Sequence, residues 1–287
     1  MKVIITGSGG LVGGCLARRL GQAHEVLAPR RARLDVTDAD AVSRFIEAER
    51  PQLVVNCAVL GVDECERDPA SARAVNADAP RALAVAAAGV GAEFLHFGTN
   101  YVFDGEGGEP YGERDEPRPI NVYGVTKEEG ERAAFEANPR SYVVRTSWVF
   151  GLGKESFLST AHRELASGRR VRAIRDTWAS VTYVEDLAAR VEEIMSAGRH
   201  GLYHVVNEGA CTYEDFAREA ASLAGLDDEE AARLVETVTE AEVKRPARRP
   251  RYTPLLCLAS AELGLPPLRH WREALAAYVT GTMKYER

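Results

Sequence analysis

Residues 2–13 read Lys2-Val3-Ile4-Ile5-Thr6-Gly7-Ser8-Gly9-Gly10-Leu11-Val12-Gly13, and the reading of this stretch decides the fold. Val3-Ile4-Ile5-Thr6 is a run of β-branched residues, which suits a buried strand. A glycine-rich turn follows, and the spacing from Leu11 to Leu20 is that of a helix. Strand, glycine turn and helix in this order are the context that a dinucleotide fingerprint requires. Gly7 allows the tight turn, Gly10 lets the backbone approach a pyrophosphate, and Gly13 permits close helix–strand packing. The helix N-terminus offers free N–H groups and the positive end of its dipole to the phosphates. Gly7, Gly9, Gly10, Leu11, Val12 and Gly13 are therefore expected to bind a cofactor.

The alternation continues outward from this unit. Strands are expected at Val3–Thr6, Glu25–Ala28, Leu53–Cys57, Glu93–Thr99 and Tyr142–Ser147. Helices are expected at Leu11–Leu20, Ala39–Glu49, Ser71–Ala88 and Val122–Ala137. The strand runs lack clean alternation, as in strands covered on both faces. The fold class is thus α/β, a Rossmann-type doubly wound parallel sheet over residues 1–150. After residue 150 the alternation weakens. Helices at Ser156–Ala166, Val184–Ser196, Tyr213–Leu223, Asp228–Val235 and His270–Val279 mix with short strands. Residues 151–287 are expected to form mainly a smaller α/β substrate domain, with some elements returning to the sheet.

The end of the second strand bears on the cofactor. An acidic residue there would bind the ribose 2′-hydroxyl of NAD. The chain reads Ala28-Pro29-Arg30-Arg31, with no carboxylate until Asp35. Arg30 and Arg31 can pair with a 2′-phosphate. NADP(H) is expected in preference to NAD(H), which the same loop can also hold. Asp35 and Val36 are expected near the adenine, and Cys57 and Ala58 beside the ribose and pyrophosphate.

Tyr123 and Lys127 stand one helical turn apart on a helix that follows the fourth strand. The chain has only five lysines, at positions 2, 127, 154, 244 and 284, so this spacing invites a chemical explanation. A phenol has a pKa of about 10, and a nearby cation brings it closer to working range as a proton donor. The glycine- and proline-rich stretch Asp104–Ile120 lies just upstream and is a candidate lid, or else a disordered surface excursion. Trp148, at a strand end, is a candidate wall for a substrate. Arg248, Arg249 and Arg251 either neutralise a substrate diphosphate or are surface charge on a proline-rich loop.

Composition excludes other classes. The net charge is -7, which argues against nucleic-acid or anionic-membrane partners. The five cysteines are scattered with no Cys-x-x-Cys pair, so free thiols and no metal site are expected. The chain opens directly into a strand, and its longest apolar stretch, Ala82–Ala92, is too short to cross a bilayer. A cytoplasmic protein is expected, and a homodimer is left open.

Taken together, these motifs resemble the extended short-chain dehydrogenase/reductase family, most closely its dTDP-4-dehydrorhamnose reductase branch. The resemblance covers nearly the whole chain. It is carried by Thr6–Gly13, Leu34–Asp38, Val55–Ala58, Val62–Glu66, Ala74–Asn76, Tyr101–Gly105, Asn121–Gly124 with Lys127, Arg145–Gly151, Thr182–Leu187 and Gly201–His204. It implies a catalytic set of Thr99, Tyr123 and Lys127 and a reductase of a nucleotide-linked 4-keto-deoxysugar. Tyr123 would protonate the carbonyl oxygen, with Thr99 donating a hydrogen bond to it. Lys127 would lower the Tyr123 pKa and hold the nicotinamide ribose. Asn100 and Tyr101, beside Thr99, would face the substrate with Trp148. The branch usually has Ser-Thr-Asp where this chain has Gly98-Thr99-Asn100, and Val59-Leu60-Gly61 is less polar than its pattern. Nucleotide-sugar epimerases and dehydratases use the same scaffold. The non-catalytic, NADP-binding beta subunit of methionine adenosyltransferase also resembles this branch.

Overall fold

The computed structural model describes residues 1–285. The first half runs β1 (Lys2–Thr6), α1 (Leu11–Leu20), β2 (Glu25–Leu27), α2 (Ala39–Glu49), β3 (Leu53–Asn56), α3 (Val62–Arg67), α4 (Pro69–Arg73), α5 (Ala79–Gly89), β4 (Glu93–Thr99), α6 (Val122–Ala137) and β5 (Ser141–Thr146). The second half continues with β6 (Val149–Phe150), α7 (Phe157–Ala166), β7 (Val171–Ile174), β8 (Trp178–Ala179), β9 (Thr182–Tyr183), α8 (Val184–Ala197), β10 (Gly201–His204), α9 (Tyr213–Leu223), α10 (Asp228–Leu234), β11 (Val235–Val238), β12 (Tyr252–Thr253), α11 (Leu258–Glu262) and α12 (Trp271–Tyr285).

Six strands form one sheet in the order β10-β5-β4-β3-β1-β2, and every pairing is parallel. Alternate residues of each strand feed two cores. Val3, Ile5, Val55, Leu95 and Val144 pack with Leu16 and Leu20 of α1 and Leu187, Val191 and Ile194 of α8. Ile4, Val54, Phe94 and Val143 point the other way, onto Val42 and Ile46 of α2 and Leu83 and Ala87 of α5. Burial on both faces is why these strands read as unbroken apolar runs. The outer strand β10 comes from beyond residue 150 and pairs along β5, Leu202 opposite Val143 and Tyr203 opposite Val144. A third core, built from α7, α9 and α12, surrounds Phe150, Phe216, Trp271 and Leu275.

Two expectations are corrected. Ser71–Ala88 is not one helix: a π-helical turn at Ala74–Asp78 separates α4 from α5. There the Asn76 side chain is drawn out to Leu60, accepting from its N–H at 2.9 Å and donating to its carbonyl at 3.3 Å. Pro80 in the first turn of α5 cannot supply a backbone N–H. The Asp104–Ile120 stretch is not a lid. The Tyr111 ring stacks on Phe103 at 4.2 Å, its backbone bonds to Pro254 and Leu256, and the Glu113 carboxylate accepts from the N–H groups of His204, Leu258 and Ala259. The stretch is thus tied to the second half of the chain, and none of its residues lines the cavity around Tyr123.

Candidate active site

The glycine loop sits at the C-terminal edge of the sheet. Gly7 has a φ of +67°, and a Cβ there would come within 2.4 Å of the Cys57 backbone. Any side chain at residue 7 would therefore push β1 and β3 apart. A Cβ at Gly13 would lie 2.5 Å from the Gly7 carbonyl oxygen, whereas above Gly9 there is open space. Gly10 caps α1 without any side-chain hydrogen bond, which leaves the first helical N–H groups free. An open approach to unpaired donors fits a pyrophosphate. The Ser8 hydroxyl reaches the Ala28 carbonyl at 3.4 Å and brings the end of β2 beside the loop. Beyond it, Arg31 pairs with Asp35 at 3.0 Å, and Thr37 donates twice to the other Asp35 oxygen. These bonds from Thr37 hold the Asp35 carboxyl below its ordinary pKa. Val36 packs at the margin of the α2–α5 core.

Helix α6 starts at Asn121, whose side chain accepts from the Gly124 N–H at 2.7 Å and donates to the Arg248 carbonyl at 2.8 Å. Gly124 then sets the helix against the end of β4. A Cβ there would lie 2.2 Å from the Tyr101 carbonyl oxygen. This approach brings Tyr123 beside Thr99, whose hydroxyl acts to lower the phenol pKa and donates to Asn100 at 3.3 Å. Thr99 caps the 3-10 turn Asn100–Val102. The Tyr101 ring meets Tyr123 edge-on at 5.8 Å.

Thr99, Asn100, Tyr101, Tyr123 and Trp148 all line one cavity of about 220 Å³, together with Val62, Gly98 and Thr146–Val149. That is below the roughly 300–1,000 Å³ of sites for drug-sized ligands, so the cavity suits the reacting end of a larger molecule. Trp148 holds a φ of +39° and lies 4.0 Å from the Tyr213 ring. A left-handed tryptophan is strained, and such strain persists where the surroundings impose it. Asn100 is buried and donates to the Thr253 hydroxyl at 2.8 Å, which ties the end of β4 to β12.

Tyr123, Lys127 and Glu131 form an i, i+4, i+8 stripe on α6, but the lower two do not reach the cavity. Lys127 is 2% exposed and bonds to His96 and to the Phe97 carbonyl. Glu131 pairs with Arg145, whose guanidinium lies 5.3 Å over the Phe103 ring. The Tyr123 pKa moves opposite to expectation: burial raises it, more than the neighbouring Thr99 hydroxyl lowers it. Tyr123 is therefore a protonated phenol across neutral pH. Burial lowers Lys127 to about 8.

The arginines of residues 248–251 do not converge on one site. Arg249 is committed to Asp63 by two bonds of 2.6 and 2.9 Å, Arg248 is exposed beside Glu106, and Arg251 is exposed. Burial raises the Cys57 thiol, which argues against a reactive role there. His96, Tyr213 and the Glu131–Arg145 pair were missed. A histidine inside the apolar run Phe94–Phe97 was the available signal for the first, while Tyr213 carries none.

Residues 1–283 match the model of the family described as the RmlD substrate binding domain. A dTDP-4-dehydrorhamnose reductase of Mycolicibacterium smegmatis is 40% identical over 279 residues, which span 96% of this chain and 84% of that protein. The crystal structure of a dTDP-4-dehydrorhamnose reductase from Clostridium acetobutylicum matches with a TM-score of 0.92 at 35% identity, covering 99% of this chain and all of that one. A second, from Bacillus anthracis in complex with NADP, matches at 0.91 and 30% identity, over 98% and 99% of the two chains.

Proposed function

The chain belongs to the RmlD substrate binding domain family, and from that premise we propose that it is an NADPH-dependent reductase of a dTDP-linked 4-keto-6-deoxysugar. The observation that carries the reading is that Tyr123 and Thr99 line one cavity together with Tyr101 and Trp148. The relatives named for this activity support the substrate class, and the Bacillus anthracis complex supports NADP as the cofactor.

Gly7, Gly9, Gly10 and the first turn of α1 would hold the pyrophosphate, and Arg30 and Arg31 the 2′-phosphate. The bound cofactor would supply a hydride to the carbonyl carbon. Tyr123, kept protonated by burial, gives its proton to the carbonyl oxygen as charge develops there. Thr99 steadies the same oxygen with its hydroxyl. Tyr101 and Trp148 wall the sugar and exclude water. Asn100, bonded to Thr253, holds this wall in place. A single chain carries this whole set, so the reading requires neither a second copy nor nucleic acid. The five cysteines are free, and among the described residues no helix is long and apolar enough to cross a membrane. A cytoplasmic setting belongs to the same reading.

The test is NADPH oxidation with dTDP-, UDP- and GDP-linked 4-keto-6-deoxyhexoses. Stoichiometric oxidation with the dTDP sugar is expected. Conversion of a sugar without net loss of NADPH would make the protein an epimerase, and no reaction with any of the three would overturn the reading.

A further inference from the structure

Residues 245–249 run along the mouth of the cavity. The Ala247 N–H donates to Asp63 Oδ1 at 3.3 Å, and Asp63 directly follows Val62, which lines the cavity. The Arg248 carbonyl accepts from Asn121, two residues before Tyr123. Two guanidiniums are held on this segment, and they are held differently. Arg249 engages both oxygens of Asp63 through two nitrogens. Arg245 bonds through one Nη to Glu240, in the 3-10 turn Glu240–Glu242. Its Nε is buried and has no hydrogen-bond partner among the described residues. The pair is mostly covered, with 22% of the Arg245 side chain and 21% of that of Glu240 exposed. A covered ion pair that leaves a donor unmade is an incomplete one. The pair also acts on the cavity wall. The Arg245 charge works to lower, and the Glu240 charge to raise, the pKa of the Tyr101 phenol. The phenol of Tyr213, the residue against Trp148, responds to both charges in the same way.

The cavity admits the reacting end of a nucleotide sugar, so the diphosphate of that molecule has to leave through the mouth. We infer that Arg245 is a ligand for this diphosphate and that Glu240 is a positioning residue, an internal competitor that holds Arg245 until the diphosphate displaces it. When the nucleotide sugar seats, Arg245 exchanges one carboxylate oxygen for two phosphate oxygens, one on Nε and one on Nη. A phosphate matches the planar fork of a guanidinium, and it satisfies the nitrogen that Glu240 leaves bare. Glu240 is the weaker claimant. Burial and the charge of Asp176, which accepts from the Glu240 N–H at 2.7 Å, both act against its carboxylate. Arg249 cannot take the place of Arg245, because Asp63 already occupies it. The competition also makes the seat selective. A ligand must bring enough negative charge to displace a carboxylate, and one that lacks it leaves the pair closed.

This deepens the proposed reading and rests on it only in needing a nucleotide diphosphate, so binding alone tests it. Calorimetric titration of the full chain with dTDP, UDP and GDP shows which diphosphate the wild type binds most tightly, and that one is taken to the variants. Arg245→Gln should weaken it about tenfold, the worth of a charge-assisted hydrogen bond. Glu240→Gln keeps the shape and removes the competing charge, so it should tighten the same diphosphate about two- to fivefold, the worth of a partly exposed ion pair. A Glu240 that only supported the fold would lose affinity on this change, not gain it. NADPH carries a diphosphate of its own, and its binding should be the same in both variants as in the wild type. Unchanged diphosphate binding in either variant, weaker binding in Glu240→Gln, or an equal loss for NADPH in Arg245→Gln overturns the inference. So does a wild type that binds none of the three diphosphates. A wild type that binds one of them but reduces no keto sugar overturns the reductase reading and leaves this inference standing.

Discussion

The Arg145 guanidinium and the Glu131 carboxylate meet at 2.7 Å with 5% of each side chain exposed, and they occupy the space that a side chain at residue 98 would need. A Cβ on Gly98 would lie 2.1 Å from Glu131 Oε1 and 2.8 Å from the Arg145 chain. The glycine that departs from the usual serine is thus the room that this pair requires. Gly98→Ser should destabilise the protein by about 1–3 kcal/mol, the range for overpacking a tight site. Urea unfolding checks this, and an unchanged midpoint would show that the pair can move aside.

Tyr123→Phe removes the proposed proton donor and leaves the ring in place. Turnover should fall by roughly 10²–10⁴-fold, with NADPH binding retained. Steady-state rates beside a fluorescence titration of NADPH decide it, and near-wild-type turnover would take Tyr123 out of the mechanism.

Arg30 and Arg31 are exposed where β2 ends, and Arg31 is already held by Asp35. Exposed pairs are individually weak, so the double change Arg30→Ala with Arg31→Ala should weaken NADPH binding by about tenfold in total. NADH binding should be nearly unchanged. Equal losses for both cofactors would place the arginines elsewhere than at a 2′-phosphate.

The Lys127 pKa of about 8, against 10.5 for an ordinary lysine, has a stability consequence with a definite sign. Between these values the unfolded chain binds more protons than the folded one, so this group's contribution to stability rises with pH. Below about 8 the buried charge is a full liability. Lys127→Met should therefore compare most favourably with wild type below pH 8 and lose that advantage progressively toward pH 10.5. Chemical unfolding of both proteins across that range measures the difference, and a pH-independent gap would mean that Lys127 is not depressed in the folded protein.

Much of this was legible before any coordinates. Leu11–Leu20, Ala39–Glu49, Val122–Ala137 and Tyr213–Leu223 form as helices over the residues expected, because each combines apolar spacing with a clear end signal. Thr99, Asn100, Tyr101, Tyr123 and Trp148, all singled out in the sequence, line one cavity. What stayed hidden depends on burial and on distant partners. The alanine-rich run Ser71–Ala88 carries no sign that Asn76 is taken by Leu60. The charge pattern of Tyr123 and Lys127 predicts a lowered phenol pKa, but burial raises it and Lys127 turns to His96 and Phe97 instead. The Asp104–Ile120 stretch has the composition of a mobile loop, but the Tyr111–Phe103 stack, the backbone bonds of Tyr111 to residues 254–256 and the Glu113 bonds to residues 204, 258 and 259 tie it down.

The late arrival of β10 has a consequence for how the protein is made. When Thr146 leaves the ribosome, the parallel sheet is still bare along β5, and the face that α8 will cover is open. The missing strand is encoded roughly 60 residues further on, a delay of several seconds at 5–20 residues per second of synthesis. For that interval the nascent chain presents an unpaired, apolar strand edge, the kind of template that invites pairing with another chain. Translation speed across residues 147–204, and the chaperones that meet the chain there, therefore bear on its yield as directly as its final stability does.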